Sequence, residues 1–254
     1  MTQDKGPVPF SESLRAHLAV RPLLPYNETR FRAQLAVMLQ MQDSLNQLVF
    51  HDWRERRLAW HRAMYVEAAE FLGHLDTWKW WKKGTPDYPQ ANIELVDIWH
   101  FGLSWFIERF GQPTDSEALE TAVTRRVREA AAKVAALSKS RDDISNEDRH
   151  EQVDHLVAKA GIRLFDTESF VRLVAYCGMD FDDLFHGYIA KNTLNRFRQL
   201  NGDKQGTYPR LWAGKEDNVH LDEIIQELSH LPPAELPDAV TSALAKRYAE
   251  LFPK

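Results

Sequence analysis

Apolar residues recur at helical spacing along most of the chain, and no run alternates with the period of two that a strand needs. Over residues 27–50, Leu35, Met38, Leu39, Leu45 and Leu48 make one stripe, with Asn27 placed as the N-cap. Gln42 and Asn46 lie i, i+4 on one face of that helix. A second helix is expected to start at Asp52, with Glu55 completing a capping box, and to fray near Gly73. It carries Trp60, Ala63, Met64, Glu67, Glu70 and Phe71. Gly84, Pro86 and Pro89 then mark a loop. The third helix, 91–110, is apolar nearly all round except for a strip of Glu94, Asp97 and His100, and it stops at Gly111.

Further helices are expected over 115–137, 147–160, 180–200, 218–231 and 234–251, and one that Thr167 caps and that ends near Gly178. A polar loop at 138–146 and a non-helical segment at 203–215 interrupt them. Residues 1–26 hold four of the twelve prolines and read as an irregular N-terminal arm with a short helix at 12–19. The expected fold is all-α, a single domain over 27–254 with a helical bundle core and additional helices.

Composition narrows the function. A net charge of −5 argues against nonspecific nucleic-acid binding, which needs a basic surface. No apolar run is long enough to span a bilayer, so no membrane partner is expected. The N-terminal residues lack the apolar core of a signal peptide, and a cytoplasmic protein is the expectation. The single cysteine, Cys177, sits in an apolar run and reads as a small buried hydrophobe rather than a nucleophile.

The chemistry concentrates between Glu67 and Asp97. Glu67 with Glu70, and Glu94 with Asp97, are spaced i, i+3, which puts each pair on one helix face. One such pair is usually a solvated face, but both pairs sit among large apolar residues, where acids must be protonated, paired or metal-bound. Oxygen-only ligands suit a hard cation such as Mg²⁺. A di-iron site would want Glu-x-x-His pairs; Asp97-Ile98-Trp99-His100 comes near, but His74 falls one place too far from Glu70. Between the pairs lie Trp78, Lys79, Trp80, Trp81, Lys82 and Lys83. This run reads either as aromatic rings packed into the core with lysines reaching outward, or as a ring that stacks on a base. Later, Lys191, Asn195 and Arg198 share a helix face, which is a solvated polar face or a phosphate grip. The following loop, with Gly202, Lys204, Gly206 and Tyr208, does not match a Walker motif.

Taken in order, Gln42-Asp43-Ser44-Leu45-Asn46, Glu67-x-x-Glu70, Trp78-Lys79-Trp80-Trp81-Lys82, Glu94-Leu95-Val96-Asp97-Ile98-Trp99-His100-Phe101, Lys191-Asn192-x-Leu194-Asn195-x-Phe197-Arg198 and Glu216-Asp217-Asn218 resemble the dimeric all-α dUTPase family. That family lies within the all-α nucleoside triphosphate pyrophosphatase superfamily. The resemblance implies a homodimer that hydrolyses dUTP, and also dUDP, to dUMP with Mg²⁺. It implies Glu67, Glu70, Glu94 and Asp97 as metal ligands, and attack of water on the α-phosphorus with a carboxylate, Glu67 rather than Glu70, taking the proton. Gln42 and Asn46 would read the uracil edge and Trp80 would stack on it. Lys191, Asn195, Arg198, Tyr208 and Asn218, with Lys204 or Lys215, would hold sugar and phosphates. Asp203 stands where relatives often carry an aromatic. A pyrophosphatase for another pyrimidine nucleotide, such as dCTP, is the enzymatic alternative, because an amide presents donor or acceptor. A non-catalytic helical binding protein is the other; it would predict loss of a metal carboxylate, and all four are present.

Overall fold

The computed structural model describes residues 23–111, 116–137 and 139–253. Among them the chain forms α1 (Glu28–Val49), α2 (Trp60–Leu75), α3 (Tyr88–Phe110), α4 (Ser116–Ala135), α5 (Asn146–Gly161), α6 (Thr167–Tyr176), α7 (Phe181–Leu200), α8 (Asp217–Leu228) and α9 (Leu236–Leu251). The fold is all-α. The one departure is a ribbon of β1 (Leu211–Trp212) and β2 (Lys215–Glu216), paired antiparallel through Ala213 and Gly214, both at positive φ. Two-residue strands leave no alternation to read, which is why the sequence pattern does not announce them. No helix of the described residues is long and apolar enough to cross a membrane.

The polar strip of α3 sits on the most apolar helix, and α3 is the hub. It packs lengthwise against α2 and also contacts α1, α4, α6 and α7. Leu95, Ile98, Leu103 and Phe106 are fully buried along it, and Trp99 stacks on Phe170 of α6 with ring centroids 5.2 Å apart. α5 backs α2, and α8 with α9 closes on α7. Gly187 lets α7 approach α3: a Cβ there would lie 2.9 Å from Val96 Cγ2. This contact sets Lys191, one turn on, opposite Asp97.

The helix ends mostly follow local chemistry. Asn27, Asp87, Ser145 and Asp180 each accept a first-turn backbone N–H. Several expectations are corrected. The second helix begins at Trp60, not Asp52; no capping box forms there, and Asp52 instead takes Arg56 Nε at 2.6 Å. The cause is Trp53, which is fully buried with its indole N–H on Asp43, and Arg57, whose φ of 47° breaks the helical path. The cap of α6 is Asp166, one residue before Thr167. None of Trp78, Trp80 and Trp81 enters the core, and Trp80 is 90% exposed. Gly84 lies against the Asp76 carbonyl with no room for a side chain, which folds this aromatic loop back on the end of α2. The expected helix at 12–19 and most of the N-terminal arm lie outside the described residues, as does Asp115. Leu23 and Leu24 of the arm are buried, and Tyr26 packs on Phe31 and Phe181.

Leu95 fixes the rotation of α3 that points Glu94 at α2. Leu95→Ala is expected to lose about 2–5 kcal/mol in urea unfolding. A loss below about 1 kcal/mol contradicts this packing.

Candidate active site

Glu67, Glu70 and Glu94 present carboxylate oxygens that all lie within 4.8 Å of one another. α2 supplies the first two from consecutive positions on one face, and α3 supplies the third from across their shared seam. Glu94 is buried, Glu67 half-buried and Glu70 exposed. Burial first, then the charges of Asp97, Glu70 and Glu94, push the Glu67 carboxyl up to about 7. Burial followed by Asp97 and Glu70 also raises Glu94, and a proton on Glu67 is shared with it. His74 Nε2 stands 3.3 Å from Glu94 Oε1. Asp97 lies outside the tight cluster, because its Oδ2 accepts Lys191 Nζ at 2.7 Å. Three carboxyls this close, with Glu67 and Glu94 both raised by burial and neighbouring charge, are a ligand set that could hold a divalent cation.

Asp97 also lines a cavity of about 390 Å³ between α1, α3 and α7, so the acids sit at its edge. The floor is a polar network. Gln42 Nε2 donates to Asn46 Oδ1 at 3.1 Å and to Ser104 Oγ at 2.9 Å, and Asn46 Nδ2 donates to the same hydroxyl at 3.0 Å. Tyr188 O–H donates to Gln42 Oε1 at 2.9 Å, and Asn192 donates to the Tyr188 oxygen. These bonds fix which amide atom of Gln42 faces which way. His100, also on the floor, stacks on Tyr188 with centroids 4.2 Å apart. Its Nδ1 donates to the Val96 carbonyl at 2.9 Å, while its Nε2 is buried with no partner. Burial pulls its pKa down to about 4, so the ring is neutral and Nε2 carries a lone pair at neutral pH.

The expected substrate residues divide into groups. Gln42, Asn46, Asn195 and Arg198 line the cavity together with Asp97. Lys191 and Asn218 line a neighbouring hollow on the other side of α7. Arg198 reaches both hollows, yet its guanidinium is clamped by Asp217, with Nε to Oδ2 at 2.8 Å and Nη2 to Oδ1 at 2.6 Å. Tyr208 is buried and donates its O–H to the same carboxylate at 2.9 Å. Trp80, Lys204 and Lys215 line neither hollow, and Lys215 pairs with Glu223. Asp203, at the position where an aromatic is usual, pairs with Arg210 at 2.6 Å on the cavity wall. Sequence reasoning did not single out Ser104, Tyr188 or the clamp role of Asp217. Ser104 follows His100 by four residues and Tyr188 precedes Asn192 by four, a spacing that could have flagged both. Cys177 carries no chemistry: burial pushes its thiol up to about 12.

An all-α bundle with clustered carboxylates beside an amide-floored cavity is a nucleotide-hydrolase architecture. Residues 34–202 match the family model described as dUTPase, which covers most of the chain, and the protein belongs to that family. Its activity is that of a dUTP diphosphatase, which hydrolyses dUTP. No curated protein matches the chain.

The raised acid gives a signed pH dependence. Glu67 binds its proton more tightly in the folded chain, so its favourable share of stability is whole below the ordinary value of 4.5 and is lost as pH rises to about 7. In chelator, the melting temperature of the wild type is expected to fall across that window relative to Glu67→Gln. Parallel profiles for the two proteins contradict the shift.

Proposed function

We propose that the protein hydrolyses dUTP to dUMP and pyrophosphate, and accepts dUDP, with Mg²⁺ held by Glu67, Glu70, Glu94 and Asp97. The observation that carries the reading is the joining of two features by one residue. Asp97 faces the carboxylate cluster on one side and lines the nucleoside-sized cavity on the other. When bound, the cation neutralises the triphosphate and polarises the phosphoryl oxygens. Glu67 takes the proton of the attacking water. Asp97, paired with Lys191 here, would complete the ligand set for the cation, and the Lys191 ammonium would then be available to phosphate. Arg198 and Asn195 hold sugar and phosphates from the cavity side, and Tyr208, Asn218 and Lys204 do so from the loop that follows. Trp80, exposed on its loop, folds over the base as the site fills. The chain acts as a homodimer.

Uracil rather than cytosine is favoured by His100. Its neutral Nε2 is a buried acceptor with no partner on the cavity floor. Uracil brings an N–H at position 3, whereas cytosine brings a second lone pair, and leaving both groups unpaired there is costly.

The assay is pyrophosphate release from dUTP, dCTP, dTTP and UTP, with Mg²⁺ and with chelator. The expected result is metal-dependent turnover selective for dUTP. Equal rates on all four sink the uracil assignment, and activity in complete chelation sinks the metal reading. Glu70→Gln is expected to abolish turnover with the fold intact. His100→Phe is expected to cut the dUTP-to-dCTP preference by about tenfold or more; an unchanged ratio removes His100 from base selection.

A further inference from the structure

His74 stands at one end of the carboxylate cluster. It follows Glu67 by seven residues and Glu70 by four, so the three side chains share one stripe of α2. Glu94 faces that stripe from α3, and His74 joins the cluster through it, with Nε2 3.3 Å from Glu94 Oε1. The Glu94 side chain is 11% exposed and the imidazole 35%, so the ring closes the buried acid off from one side and still opens to solvent. Among the described residues the imidazole has no other ion-pair or hydrogen-bond partner. Its position is fixed from below. Phe71 and Leu75, on either side of it along the helix, are fully buried. The His74 carbonyl accepts the Asp87 N–H at 2.9 Å, which ties the end of α2 to the N-cap of α3.

The contact with Glu94 is long for an ion pair. Lys191 meets Asp97 at 2.7 Å, and Arg198 meets Asp217 at 2.6 and 2.8 Å, the range of charge-assisted bonds. At 3.3 Å the ring nitrogen and the carboxylate oxygen are instead spaced as two donors on one ion. Donors bonded at about 2.1 Å to a small divalent cation lie about 3.0 Å apart at right angles and about 3.4 Å apart in a tetrahedron. Carboxylates alone suit Mg²⁺, whereas an imidazole nitrogen suits later first-row ions such as Co²⁺ and Zn²⁺.

We propose that His74 is a nitrogen ligand of this centre, forming with Glu94 a mixed nitrogen–oxygen arm through which the protein takes Co²⁺- and Zn²⁺-class ions as well as Mg²⁺. The proposal rests on the reading of the acid cluster as a metal site.

The test uses the untagged full chain, stripped with chelator, and the metal ions alone. Pulsed electron paramagnetic resonance of the protein with one equivalent of Mn²⁺ should show nitrogen coupling. His74→Gln should lose that signal and His100→Phe should keep it. In calorimetric titrations His74→Gln should weaken Co²⁺ by about tenfold or more and leave Mg²⁺ within about threefold. Metal bound with oxygen coupling only overturns the proposal and leaves the acid cluster standing as a metal site. Failure of Mg²⁺, Mn²⁺ and Co²⁺ all to bind overturns both. A nitrogen signal that survives in His74→Gln and vanishes in His100→Phe overturns the proposal alone. So does an equal loss of Co²⁺ and Mg²⁺ affinity in His74→Gln, since His74 would then only support Glu94.

Discussion

The repulsion among Glu67, Glu70 and Glu94 is the constraint on which the rest of the site depends. Their oxygens are held within 4.8 Å by the seam between α2 and α3, and helix packing of this kind is not soft enough to let them spread. One buried and one half-buried acid in such a cluster cannot all be ionised at low cost. The chain alone answers with a proton on Glu67 and with Lys191 drawn to Asp97. Under the proposed reading both are provisional partners, since a divalent cation held by these carboxylates would take the place of the proton and leave Lys191 free.

The same logic of provisional pairing governs the other side of the cavity. Arg198 is held in a two-pronged clamp by the buried Asp217, and Tyr208 adds a third hydrogen bond to that carboxylate. Such a clamp orders the guanidinium in the absence of a ligand, which would reduce the side-chain entropy lost in the proposed phosphate contact. The amide floor is ordered in the same way, since Gln42, Asn46, Ser104 and Tyr188 satisfy one another. His100 Nε2 is the exception, a buried acceptor without a partner, and the proposed preference for a donor rests on it.

Much of this was legible in the residues themselves. The long helices announce themselves by apolar stripes and by side-chain caps, as at Asn27 and Asp180. The two acid pairs stand out because Glu94 and Asp97 interrupt a helix that is otherwise largely apolar. What the residues hide is tertiary. Nothing local warns that Trp53 will be buried and pull the start of α2 forward to Trp60, or that the three loop tryptophans will stay at the surface. The Lys191 face reads as open to solvent, yet Gly187 brings it against α3 and Asp97 captures it. Asp217 reads as a motif residue and turns out to be the partner of a residue expected to hold phosphate.

The central claim is that a cation takes over from a proton at the acid cluster. Calorimetric titration of the chelator-stripped protein with Mg²⁺ near pH 7, in two buffers of different ionisation enthalpy, counts the protons released on binding. The account predicts net proton release in the wild type and its loss in Glu67→Gln, since the displaced proton sits on that carboxyl. Mg²⁺ binding without proton release, or no binding at all, would contradict it.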